Sequence, residues 1–258
     1  MESNSISQPS PPLPTPWRSK SFSISRSVLT AFGAVLAGIL PAFLYLSVGA
    51  WLGFIPRPHH QQIPAFQLLL AQIATYVPLA GYLLLVLPRL SGRSFRQLGI
   101  RRPKLRDLRA GVVGALIMWL VVTISSAILV VITNDHEPEA ALQVLHELRP
   151  PFQTSVFTLV ALVLAPLVEE LLFRVFLFNA FARYFPIMLS ALLSGLLFGI
   201  VHITSYGQLV TIGIPLALGG MTLALVYART GCYWANVLTH GLFNSVTIVA
   251  YFVFHVDA

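Results

Sequence analysis

AGVVGALIMWLVVTISSAILVVIT, residues 110–133, runs for 24 residues without an Asp, Glu, Lys or Arg. A helix of that length reaches roughly 36 Å at ~1.5 Å per residue, more than the ~30 Å hydrocarbon core of a bilayer. The segment therefore predicts a membrane-spanning helix, and the same reading recurs on both sides of it. Ser27–Pro56, Gln61–Pro88, Pro150–Val168, Tyr184–Val201, Ile203–Ala228 and Thr230–Val256 also lack all four charged residue types. The expected fold is all-α, a polytopic membrane bundle of about seven to eight transmembrane helices.

Composition agrees. The 258 residues are 56% hydrophobic and 10% charged, against about 25% charged in a soluble domain. A single cysteine, Cys232, excludes an internal disulfide and reads as a small apolar residue at a helix end.

The net charge of +7 is unevenly placed. Between Arg89 and Arg109 stand Arg93, Arg96, Arg101, Arg102, Lys104 and Arg106 against one acid, Asp107. A short loop this basic predicts a cytoplasmic position and argues for topology rather than nucleic-acid binding. Residues 1–26, rich in Ser and Pro, are expected to be a disordered cytoplasmic tail. A cleaved signal peptide is not expected, and an organelle transit peptide is the lesser reading of that tail. Residues 27–149 are read as N-terminal membrane helices around the basic loop 89–109. The acidic segment Asn134–Arg149 falls on the opposite side, where Ala141, Leu142, Val144, Leu145 and Leu148 suggest a short interfacial helix. Seven spans place the N-terminus inside and the C-terminus outside, in a protein expected in the plasma membrane.

An ionisable residue inside a span is costly and is a functional candidate by default. Such residues gather after position 165. Glu170 and Arg174 are four apart and share a helix face, so they can pair; Glu169 is rotated about 100° away and is left for chemistry. Pro166 just before them is expected to kink the helix. Gly195 and Gly199, with Ala191 a turn earlier, invite close approach of another helix beside His202. If the chain turns near Phe185-Pro186, Glu169 lies sixteen residues before the turn and His202 seventeen after it. At about 25 Å from the turn, they reach matching depth. Gly231 marks the turn into the last helix, where His240 and Asn244 share one face. His59, His60, His136, His146 and His255 read as solvated.

A carboxylate facing an imidazole can activate water, and a second imidazole with a carboxamide can stabilise an oxyanion. Glu169, His202 and His240 could equally hold a divalent metal such as zinc, although no H-E-x-x-H or cysteine cluster is present. The spacing leaves both open; the expectation taken is that a metal is not essential.

Glu169-Glu170-x-x-x-Arg174, then Phe198-x-x-x-His202, then Arg229-Thr230-Gly231-x-x-Trp234 leading to His240-x-x-x-Asn244 resembles the CPBP family of intramembrane proteases. That family includes CAAX prenyl endopeptidases and bacteriocin-processing and immunity proteins. The likeness covers roughly Phe152 to Val249, and Gly99–Pro103 is also similar to bacterial members. It implies a catalytic membrane domain over 150–258 and cleavage of a membrane-associated peptide or protein. It further implies Glu169 as the water-activating carboxylate, His202 as its assistant, and His240 and Asn244 at the oxyanion. Glu170, Arg174 and Phe198 would support them. Many bacterial members carry Gly after the motif Arg, where Val175 stands here. The alternatives are a non-catalytic membrane immunity or binding factor and, less favoured, an ion-coupled transporter.

Overall fold

The computed structural model describes residues 24–56, 63–134, 140–148, 151–206 and 209–254. Among them there is no strand. The helices are α1 (Ile24–Leu52), α2 (Ala65–Ser91), α3 (Leu105–Thr133), the short α4 (Ala140–Glu147), the long α5 (Pro151–Ala182), α6 (Ile187–Tyr206), α7 (Ile214–Thr230) and α8 (Tyr233–Phe254). A π-helical turn, Leu209–Gly213, leads into α7. Among the described residues six helices are long and apolar enough to cross a membrane, and Ile187–Ile203 of α6 is a shorter apolar helix. This is an integral, multi-pass membrane protein. Its outer faces are apolar, with Val28, Phe32, Ile39 and Phe43 on α1 and Val112, Leu116, Leu120 and Ile128 on α3 all exposed. Such a surface suits lipid rather than water.

Residues 1–23 of the expected tail and the four histidines 59, 60, 136 and 255 lie outside the described residues. Residues 24–26 are helical, within α1. His146 corrects its expectation: it sits on α4, and its ring packs edge-on against Tyr251 at 5.2 Å. A short helix is present there, with Leu145 buried within it and Leu148 buried just after it.

Three helix ends have a clear local cause. Gly92 and Gly231 close α2 and α7 in the left-handed region, at φ +63° and +54°. Asp107 accepts the Lys104 N–H at 2.8 Å and caps α3. The same carboxylate holds Arg101 at 2.7 Å, while Arg101 donates to the Thr230 carbonyl at 3.0 Å. Tyr227 donates to the Leu98 carbonyl at 2.9 Å, and the Tyr233 N–H to the Gly99 carbonyl at 3.0 Å. The basic loop is thereby clasped to the α7–α8 turn, so both lie at one end of the bundle.

α1 packs on α2, α3 lies against α7 and α8, and α6 pairs with α7. α5 runs between α2, α6 and α8. The small-residue stripe on α6 meets α7: a Cβ at Gly195 would overlap the Ala217 carbonyl, and one at Gly199 the Gly213 carbonyl. Backbone cannot give way as a flexible side chain can. Gly195→Ala is expected to cost roughly 1–3 kcal/mol of stability. Gly81 on α2 meets nothing within 4 Å, so Gly81→Ala should be neutral or gain up to about 1 kcal/mol from helix propensity. Melting temperatures of the purified variants in detergent would compare them.

Candidate active site

The site is built on an irregular stretch of α5. Around the α-helical Ala165–Glu170 lie two π-helical segments, Val160–Leu164 and Leu171–Phe178. Pro166 supplies the reason for the first. Proline has no N–H to give, and the Ala165 N–H bonds to Val160 instead of Ala161. The Ala161 carbonyl thus loses both its α partner (residue 165) and its π partner (residue 166). The Asn244 carboxamide of α8 donates to it at 2.8 Å. The neighbouring Leu162 carbonyl faces Gly241, where a Cβ would come within 2.9 Å. The expected kink at Pro166 is therefore a register change that α8 accommodates. π-Turns of this kind recur at functional sites.

Glu170 and Arg174 form the expected pair. Both are fully buried, with Arg174 Nε 3.1 Å from Glu170 Oε2. Asn236 donates to Glu170 Oε2 at 3.1 Å. Arg174 also donates to the Gly220 carbonyl at 3.2 Å and lies 4.8 Å over the Phe198 ring. Glu170 Oε1 stands 2.9 Å from His240 Nδ1. A carboxylate only accepts, so that ring nitrogen carries the proton and Nε2 points away from Glu170.

Glu169 is turned toward the histidines. His240 Nε2 is 3.8 Å and His202 Nε2 4.0 Å from Glu169 Oε2. His202 Nδ1 donates to the Phe198 carbonyl at 2.7 Å, which orients its other nitrogen to the carboxylate. Phe198 also packs edge-on against His240 at 5.6 Å. Tyr76 of α2 donates to Glu169 Oε1, while Oε2 is buried and accepts no hydrogen bond from the described residues.

The structure therefore brings Glu169, Glu170, Arg174, Phe198, His202 and His240 together. Asn244, one turn deeper on α8, has one amide N–H committed to α5. If that bond carries the local register, Asn244→Ala should lower stability by about 1–3 kcal/mol, the cost of an unpaired carbonyl away from water. Thermal melting in detergent would read this, and an unmoved melting point would show the bond to be dispensable.

Two residues escape the sequence reading. Asn236 completes an i, i+4, i+8 polar row with His240 and Asn244 on α8, a pattern that would have pointed to it. Tyr76 overturns the expectation that the polar set belongs to one half of the chain; its only sequence signal is Gln72, one turn earlier.

The separations of 3.8 and 4.0 Å bear on a metal. Tetrahedral ligands at about 2.1 Å from zinc stand roughly 3.4 Å apart, and the groups here are wider. No three His, Cys, Asp or Glu among the described residues have the geometry to hold a metal ion. Groups that share one water at about 2.8 Å each stand ~4–4.5 Å apart, closer to what is seen.

Residues 151–246 match a family model described as type II CAAX prenyl endopeptidase Rce1-like. A protein of Bacillus subtilis (strain 168) named "Putative membrane peptidase YdiL" is 29% identical over 91 residues, 35% of this chain and 35% of that protein. The chain thus spans about a third of the length of the curated relative it matches. No solved structure matches. The matched stretch holds the Glu pair, Arg174, both histidines and Asn244, and the resemblance to the CPBP family of membrane proteases is thereby shown for residues 151–246.

Proposed function

We propose that this protein is an intramembrane endopeptidase that cleaves a membrane-associated peptide or protein with a water activated by Glu169. One observation carries the reading: a buried carboxylate oxygen, Glu169 Oε2, accepts no hydrogen bond from the described residues and is flanked by two imidazole Nε2 atoms.

A water between these groups gives its proton to Glu169 as its oxygen attacks the scissile carbonyl. The oxyanion that forms accepts hydrogen bonds from His240, when its Nε2 is protonated, and from the second amide N–H of Asn244. As the C–N bond breaks, the proton passes from Glu169 to the leaving amine with help from His202. The roles of Glu170, Arg174 and Phe198 are to hold His240 and His202 in place. No step runs through a metal.

The basic end of the bundle, with the clasp between loop 92–104 and the α7–α8 turn, supports a cytoplasmic N-terminus in a plasma-membrane protein. With α6 crossing as a seventh span, the C-terminus emerges on the other side.

The test compares protein termini, by proteomics, in cells carrying the wild type and the Glu169→Gln variant. Termini found only with the wild type support a protease. Identical sets would overturn it in favour of a non-catalytic membrane factor.

A further inference from the structure

We propose that Tyr76 is a positioning residue that fixes the orientation of the Glu169 carboxylate. The inference rests on the protease reading only for its effect on turnover. Tyr76 lies on α2, 93 positions before Glu169 and outside the stretch that matches the family. It is buried, 9% exposed, where α2 crosses α5.

The hydrogen bonds form a directed chain. Gln72, one turn earlier on α2, donates its amide N–H to the Tyr76 hydroxyl oxygen at 3.1 Å. The phenolic O–H then donates to Glu169 Oε1. A glutamate's terminal torsion is broad and roughly two-fold, so an untethered carboxylate rotates and exchanges its oxygens. With Oε1 held from the α2 side, Oε2 is the oxygen that faces His202 and His240. The N-terminal helices thus set the geometry of a base carried by the C-terminal half. A tyrosine that served only to fill space between α2 and α5 would do so through its ring, which phenylalanine keeps.

Tyr76→Phe removes the hydroxyl alone. Its direct readout needs no substrate: the infrared carboxyl band of Glu169 in purified, full-length protein, assigned as the band that Glu169→Gln abolishes. Tyr76→Phe is expected to shift that band to higher wavenumber through loss of a donor, and Gln72→Leu to shift it part of the way. In cells, the protease-dependent termini should fall roughly ten- to a hundredfold with Tyr76→Phe, the value of one hydrogen bond to a charged group, at unchanged protein level. A band that coincides with the wild type would overturn the proposal. So would a shifted band with wild-type levels of termini, as regards turnover. If the band shifts but Glu169→Gln leaves all termini unchanged, the tether stands and the protease reading falls.

Discussion

Glu169→Gln is expected to insert and fold like the wild type and to lose cleavage by about 10²–10⁴-fold, the usual worth of a positioned general base. The substitution keeps the shape of the side chain. The Tyr76 hydroxyl can still donate to the amide oxygen, and no buried cation loses its partner, because Arg174 is held by Glu170. What disappears is the carboxylate oxygen that faces both imidazoles and could take a proton from water. Glu170→Gln is the informative contrast. Its carboxylate is bonded to Arg174, Asn236 and His240. Loss of that charge should appear first in stability and in the seating of His240. On the proposed reading the adjacent carboxylates divide the work, one kinetic and one structural. Cleavage rate and detergent melting temperature, measured for both variants, read the division. Normal cleavage by Glu169→Gln would sink the assignment of the base.

Arg174→Leu should be among the most destabilising single changes, at about 3–5 kcal/mol. Removing one partner of a buried ion pair strands the other's charge. Here the stranded group is Glu170, which is fully buried. The guanidinium also leaves the Gly220 carbonyl and the face of Phe198, so α5, α6 and α7 all lose a shared contact. A double variant, Glu170→Gln with Arg174→Leu, is expected to recover much of the loss, since neither charge then remains to be stranded. Melting curves for the two single variants and the double form a cycle. Additive effects would show that the pair is not coupled and that the buried charges are balanced by other groups.

The membrane bundle was readable from seven charge-free runs because the bilayer demands unbroken apolar length, a property of local sequence. The facing of Glu169 and His202 was readable for a similar reason: equal spacing on both sides of one turn puts two positions at one depth. Pairing of Glu170 with Arg174 followed from a one-turn offset along α5. Contacts that join distant parts of the chain left no such trace. The meeting of Tyr76 with Glu169 depends on how α2 packs across α5, and no spacing along the chain encodes that crossing. The bond from Asn244 to the Ala161 carbonyl was hidden as well. Pro166 signals a lost N–H, but which residue satisfies the freed carbonyl is settled by the packing of α8 on a π-turn whose register departs from 3.6 residues. Local periodicity thus sufficed for the helices and for the meeting of Glu169, Glu170, Arg174, His202 and His240, but not for Asn236. The orientation of the Glu169 carboxylate, one oxygen toward Tyr76 and the other toward two imidazoles, came from helix packing, because a hydrogen bond is set by the position of atoms in space and not by their order along the chain.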